Sequence, residues 1–493
     1  MRHTVLLYNP VSTSPGKQRL PMSLLAIAAV IAADYDVEFI DGNLIASPAA
    51  HIIERARATG ARLLGVTVMP GPQLRQAVPV CRAVKAALPH LAIAWGGYFP
   101  SNHYEVTLGS DYVDYVVIGQ GESAFRRLVD TLHTGGSLDD VPSLARRENG
   151  SVTVTPRAPF VPLENLPWYP YEQLDMEQYV GRSYLGRRVL AHHTSWGCPF
   201  ACNFCAVVPL AKQRWLAESA QRVADITLHL KRQHNIDGME FHDMDFFVSE
   251  SRAAEIAERL IGHDIGWWGL GRVDTLLSYG DATFEKLRRS GVKMIFMGAE
   301  SGDDDTLKLM NKGGKSGTAQ TLAIVERMKR YGIVPELSFV LGNPPNPEAD
   351  ADKTIRFIRR VKQVNPATEL ILYLYTPTPQ EGSLLLDEAV RLGFRFPETL
   401  EEWAGADWAE KSLRRNPGTP WSKDPLRRRI RDFETVINAY YPTVTDIRLR
   451  GVMRQILTGL SGWRYRLELY QRPYELKALQ RLVHYRRPET TGF

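Results

Sequence analysis

From Val189 onward the chain repeats one pattern: a short apolar run that reads as a strand, then a run with apolar residues at helical spacing. The strand-like runs are VLAHHTSW, GMEFHDMDFF, WWGLGRVDTL, VKMIFMGAESG, VPELSFVLGNP and ELILYLYTPTP. Helical runs lie between them at Leu216–Arg232, Ser251–Ile261, Ala282–Ser290, Gly317–Tyr331 and Ala351–Val364. Parallel neighbours need a connection as long as a helix, so the alternation predicts an α/β fold with a partial (β/α)6 barrel over residues 189–392. Function in such barrels collects at the carboxyl ends of the strands. There the sequence puts Asp243 and Asp245 in the second run, Arg272 and Asp274 in the third, Glu300 and Ser301 in the fourth and Asn343 in the fifth. His242, Tyr373 and Tyr375 are the candidates on these runs for proton or radical chemistry.

The first third has its own rhythm. Five shorter apolar runs, Val5–Asn9, Val37–Gly42, Leu63–Met69, Ala92–Gly97 and Tyr115–Gly119, alternate with helical stretches and predict a doubly wound, Rossmann-like domain over residues 1–135. Ligands bind outside the carboxyl ends of such sheets, where this chain carries Asn9, Thr67, Met69, Gly96, Gly97, Tyr98, Gly119, Gly121 and Glu122. Small residues there permit close backbone approach. No Gly-x-Gly-x-x-Gly follows the first run, so a dinucleotide is not expected. Residues 136–188 are dense in proline and predict an extended strap between the two domains.

Residues 393–493 read as a helical, basic, substrate-capping region. Leu426, Ile430, Phe433, Ile437 and Tyr440 keep helical spacing, as do Leu449, Val452, Met453, Ile456 and Leu460. Three placements are open for these helices. They could cap a substrate with Arg448, Arg450, Arg454 and Trp463, lie against an anionic membrane surface, or pack on the barrel with solvated arginines. The net charge of +5 resides here: Trp421 to Phe493 holds 15 Lys+Arg and 7 Asp+Glu, or +8, which leaves 5 − 8 = −3 for residues 1–420. Nucleic acid is therefore not an expected partner of the two larger domains. The longest apolar run, Leu24 to Ala33, is about half of what a spanning helix needs. Met1-Arg-His-Thr leads straight into a strand, which gives the cytoplasm as the expected location.

Of four cysteines, Cys81 stands alone on a helical run and reads as a core thiol. Cys198, Cys202 and Cys205 fall together in CPFACNFC. Such spacing favours metal ligation over bridges, and three thiolates fall one short of a structural zinc site. They suit an iron–sulfur cluster with one iron left open to a small chelating ligand.

The CxxxCxxC loop, preceded by TSWG and carrying Phe204 before its last cysteine, resembles the cluster loop of radical S-adenosylmethionine (SAM) enzymes. The resemblance implies a [4Fe-4S] cluster on the three cysteines, SAM on the fourth iron, and reductive cleavage of SAM to a 5′-deoxyadenosyl radical. GMEFHDMDFF is similar to the family's second-strand segment, with Met244 at its middle position, and GAESGDDDTLKLMNKG to its fourth-strand signature, with Glu300 facing SAM and Lys312 ending the loop. Phe204, Asp243, Asp245, Arg272, Glu300 and Ser301 are accordingly the expected SAM residues. The order NP…RLPMSLLAIAA, VTVMPG, WGGYFPS, VIGQGESAF resembles the cobalamin-binding domain fused to many of these enzymes. No D-x-H-x-x-G motif occurs, so the expected cobalamin is base-off with no histidine ligand. One cluster is all the cysteines allow, which sets the chain apart from methylthiotransferases and SPASM-type maturases. The resemblance implies a C-methyltransferase acting on a small molecule and reduced by a flavodoxin or ferredoxin. An oxidative cyclase or rearrangement enzyme is the alternative, and a non-catalytic cobalamin or cluster sensor a more distant one.

Overall fold

A computed structural model describes residues 2–312, 317–405, 408, 419–445, 449 and 451–482. Its first sheet has seven strands: β1 (Thr4–Asn9), β2 (Asp36–Asp41), β3 (Leu63–Thr67), β4 (Ala92–Gly96), β5 (Tyr115–Val117), β6 (Leu144–Glu148) and β7 (Ser151–Val154). They lie in the order β2-β1-β3-β4-β5-β6-β7, the first five parallel and the last two antiparallel. Strand alternation splits its core into two layers. Leu6 and Tyr8 face the helix Pro72–Ala87 with Leu74 and Val78. Val5 and Leu7 face the helices Met22–Ile31 and Glu122–Thr134. Cys81 is a buried core thiol, as its sequence context predicts, and the Trp95 indole N–H points at its sulfur at 3.3 Å.

The extended strap expected at 136–188 begins differently. Residues 144–154 fold into a hairpin that continues the first sheet, so that sheet runs past residue 135. Thr153 and Arg146 pair across the hairpin because the two arms meet at Asn149-Gly150, a turn signal lying within otherwise polar sequence. Beyond it, Leu163–Asn165, Tyr171–Gln173 and Met176–Tyr179 form single 3₁₀ turns. Two tyrosines of this connection tie the domains together. Tyr179 donates to Asp41 Oδ2 at the end of β2, 2.9 Å, and the Tyr171 hydroxyl meets His192 Nδ1 at 2.8 Å.

The second sheet holds six parallel strands in the order β15-β14-β13-β12-β11-β8. These are β8 (Val189–His192), β11 (Gly238–Phe241), β12 (Gly266–Gly271), β13 (Val292–Glu300), β14 (Val334–Leu341) and β15 (Glu369–Leu374). β9 (Ser195–Gly197) and β10 (Trp215–Ala217) form a small antiparallel pair beside it. Alternate residues such as Met239, Trp267, Ile295 and Leu337 meet the outer helices in one large core. The intervening positions, among them Glu240, Trp268, Phe296 and Glu336, line the concave side.

The helix Asp424–Tyr440 joins the same core through Leu426, Ile430, Phe433 and Ile437. The next helix, Val452–Arg466, places the apolar residues of its sequence pattern outward. Val452, Met453, Ile456 and Leu460 are exposed, and Leu457 and Tyr465 are the buried ones. The Arg454 guanidinium is held by the chain itself, donating to the carbonyls of Pro442 and Thr443 at 3.0 and 2.9 Å. Arg448 and Arg450 lie outside the described residues. Among the described residues no helix is long and apolar enough to cross a membrane.

Candidate functional site

The cysteine loop is stapled at both ends. β9 before it and β10 after it pair with Gly197 opposite Trp215. Gly197 has φ +84°, and a Cβ there would meet the Arg214 carbonyl oxygen at 2.2 Å, so only glycine fits. The turn from β8 to β9 hangs on Asp243. Oδ1 accepts from the Thr194 and Ser195 amides at 2.5 and 2.8 Å, and Oδ2 from the Thr194 hydroxyl at 2.6 Å. Arg252, absent from the sequence-based candidates, braces the same turn by donating to Thr194 Oγ1 at 2.8 Å. Its charge follows from the need to hold Asp243, whose carboxyl burial drives upward and Arg252 pulls back.

Inside the loop each thiol has different company. Arg272 Nη1 donates to Cys202 Sγ at 3.1 Å, and its other nitrogens grip Asp274 and the Lys312 carbonyl. Burial opposes the Arg272 charge, but Asp274 and Cys202 outweigh it and raise its pKa. Phe200 lies flat against the same guanidinium, 3.8 Å from centroid to Cζ. Cys198 is 4.0 Å from Asp245 Oδ2. Asp245 Oδ1 is buried with no hydrogen-bond partner, and burial pushes its carboxyl up to about 7. Burial likewise raises the Cys198 thiol to about 12 and that of Cys205 to about 11. Across from Cys205, Glu300 sits at φ +65° beside a register shift between β13 and β14, and Lys312 Nζ donates to its Oε1 at 2.6 Å. Loop carbonyls are taken up by the barrel rim: Asn311 reaches Ala201, Ser383 reaches Asn203 and Thr378 reaches Phe204.

This donor set fits an iron–sulfur cluster. Three thiols share one loop, an arginine donates to one sulfur, and a carboxylate with a free buried oxygen waits beside another. Among the described residues no group of three or more His, Cys, Asp or Glu side chains is arranged to hold a single metal ion.

The carboxyl edge of the first sheet lies directly opposite. Asn102 Nδ2 is 3.5 Å from the Ala206 carbonyl, and the buried Tyr98 hydroxyl is raised in pKa, first by burial and then by Cys205. A Cβ on Gly119, φ +83°, would be 4.0 Å from the Leu210 carbonyl, and one on Gly97, φ +94°, 3.2 Å from Thr67 Oγ1. The Gly119 amide donates to Ser101 Oγ at 3.0 Å. Glu122 is buried at the start of its helix, where burial raises its carboxyl. Gly96 ends β4, Gly121 precedes the helix, and Met69 stands exposed beyond β3. A rim of bare backbone with one exposed thioether fits a broad, flat ligand such as a corrin.

Two candidates sit where their side chains are already engaged. Asn9 is tied between Asp41 (3.2 Å) and Gln73 (2.9 Å). Ser301 donates to Asp350 Oδ1 at 3.0 Å, within a knot that also gathers Gly342 and Asn343. Tyr375 is buried against Trp421 in an apolar cluster that Phe204 joins, while Tyr373 lies one position inward on β15. His242 is held inside the barrel mouth, 2.7 Å from Glu240 and 3.0 Å from Arg19 of the first domain. Burial alone would raise the Glu240 carboxyl, but Arg19 and His242 bring it down to about 2. Arg19 was not a sequence candidate. Its one signal was position, since the loop after β1 ends at a carboxyl edge.

Comparison with known proteins gives two family matches: the B12 binding domain over residues 9–129 and the Radical SAM superfamily over residues 194–358. An uncharacterized methyltransferase from Pyrococcus horikoshii is 28% identical over 348 residues, covering 69% of this chain and 73% of that protein. The anaerobic magnesium-protoporphyrin IX monomethyl ester cyclase of Synechocystis sp. is 27% identical over 326 residues, 64% of either chain. Among solved structures, the radical S-adenosylmethionine methyltransferase TsrM from Kitasatospora setae, with cobalamin and [4Fe-4S] cluster bound, is similar in fold. Its TM-score is 0.64 at 18% identity, covering 80% of this chain and 76% of that one.

Proposed function

Because the chain is a radical SAM protein with a B12-binding domain ahead of its barrel, we propose that it is a cobalamin-dependent methyltransferase acting on an unactivated carbon of a small molecule, an amphiphile or a secondary metabolite. The observation that carries this reading is the approach of the two carboxyl edges. Tyr98 and Asn102 of the first sheet stand against the loop that bears the three cysteines. A carbon held between those edges is within reach of groups bound on either side. When bound, the cluster, SAM and cobalamin together supply reductive cleavage and methyl transfer.

The chain's own residues hold and orient. Cys198, Cys202 and Cys205 ligate iron, and Arg272 steadies the charge on Cys202. Asp245 takes the amino group of SAM with its free oxygen, and Glu300 and Phe204 are the further SAM residues in this reading. Asp243 and Ser301 act at one remove, by fixing the loop and the barrel rim. Thr67, Met69, Gly96, Gly97, Tyr98, Gly119, Gly121 and Glu122 border the cobalamin, with Asn9 holding the rim. In this reading cobalamin is base-off with no histidine ligand, and the His103 ring beyond β4 is already clasped between Phe99 and Trp403 at 4.9 and 4.7 Å. A low-potential flavodoxin or ferredoxin is the electron donor in this reading, and the cytoplasm its setting.

The test uses protein purified anaerobically with cobalamin, its cluster reconstituted, then incubated with methyl-labelled SAM and a low-potential reductant. Labelled methylcobalamin with S-adenosylhomocysteine and 5′-deoxyadenosine is the expected result. The likeness to the cyclase favours one second reading, radical oxidation or cyclisation. Production of 5′-deoxyadenosine while bound cobalamin stays unmethylated would establish that reading instead.

A further inference from the structure

The helix Val452–Arg466 turns its apolar side outward. Val452, Met453, Ile456, Leu460 and Trp463, with Leu467 next in line, are each between 38% and 70% exposed. At about 100° per residue these six fall within one arc of about 100°. The opposite side, with Leu457, Ser461 and Tyr465, is the buried one. The arc runs about 22 Å along the surface, and Leu469, Tyr474 and Leu482 extend the exposed apolar area beyond it. Arg466, exposed, flanks the arc on one side, and Arg472 and Arg481 are exposed farther along the chain, while Arg464 on the other side is folded back onto Glu475 and the carbonyls of Leu469 and Gln471. Over residues 452–482, Arg454, Arg464, Arg466, Arg472, Lys477 and Arg481 stand against only Glu468 and Glu475.

A contiguous exposed apolar stripe of this size marks an interaction surface. We propose that it docks the protein on a membrane leaflet containing anionic lipid. The six apolar side chains enter the headgroup boundary, and the basic rim meets lipid phosphate. Trp463, within the arc and 50% exposed, has the amphipathic ring that favours this boundary. Charge decides against a second copy of the chain, because a two-fold pairing of this face would set its arginine rim against itself. The proposal is independent of the chemistry at the cysteine loop.

The experiment is co-sedimentation of the full chain with vesicles of phosphatidylcholine alone and of phosphatidylcholine mixed with phosphatidylglycerol. It compares the natural protein, Ile456→Glu/Leu460→Glu, and Arg466→Glu. All substituted side chains are exposed, and an unchanged melting curve verifies the fold. The natural protein should bind the mixed vesicles at least about tenfold more tightly than the neutral ones, and each variant should lose about tenfold. Equal binding to both vesicles, or unaltered binding by the double variant, would overturn the proposal. So would a natural protein that ignores vesicles but dimerises in light scattering, with a monomeric double variant, since a second copy would then be the occupant.

Discussion

Two carboxylates in the string HDMD have separate duties, and substitution should divide them. Asp243 accepts three hydrogen bonds within a fully buried turn, whereas one oxygen of Asp245 accepts none. Asp243→Asn can keep an oxygen on the two backbone N–H groups but sets an NH2 where Oδ2 accepts from Thr194 and removes the charge that faces Arg252, and we expect a loss of about 2–3 kcal/mol in denaturant melts. Asp245→Asn should leave the melt nearly unchanged and weaken SAM binding, read by calorimetry on the reconstituted protein, by about tenfold or more. Cys202→Ala should abolish both iron retention and 5′-deoxyadenosine formation. A variant that kept its iron and sulfide would remove Cys202 from the ligand set. Sequence placed both aspartates at the right strand end, because the strand pattern fixes which rim a residue reaches. It could not separate them, since the oxygen that stays free depends on Thr194, Ser195 and Arg252 arriving from elsewhere.

At the level of elements, the short helix Tyr98–Asn102 is pinned by aromatic packing, with Phe99 edge-on to Trp403 at 5.2 Å. His103, just beyond it, stacks on Phe99 and meets Phe396 and Trp403 from the segment after the barrel. Burial lowers its pKa to about 4. The folded ring stays neutral where the unfolded one, near 6.5, takes a proton, so its contribution is present above pH about 6.5 and is lost as pH falls toward about 4. Urea melts across that window should lose roughly 2 kcal/mol more in the natural protein than in His103→Phe. Equal slopes would show that the ring charges freely in place. Regular strand and helix runs were legible because their period is local. The hairpin of β6 and β7 was not, because polar residues pair there only once β5 offers an edge. The outward apolar side of the helix Val452–Arg466 was left open for a related reason: periodicity reports that a helix has an apolar side, not which way it turns.

For the molecule as a whole, ligands that bind between the two sheets should stabilise both together. Cobalamin at about 100 times its dissociation constant should add about 2.7 kcal/mol to the unfolding free energy. Tyr179→Phe, which cuts the tie to Asp41, should cost about 1 kcal/mol and, in calorimetry, split an expected single melting transition toward two. A single unshifted peak would mean that the connection contributes nothing to coupling. The pairing of the domains was foreseeable only in outline, because contacts such as Arg19 with His242 join residues far apart in the chain. That arrangement has one more consequence. With both working edges turned inward, the amino-terminal rims become the two outer poles, and Gly60, just before β3, and Gly262, just before β12, sit there with open space around them. Fluorescent labels on the turns beside those glycines would act as the tips of a caliper, reading the gap between the sheets in real time as each ligand enters, without touching a single group that the ligand meets.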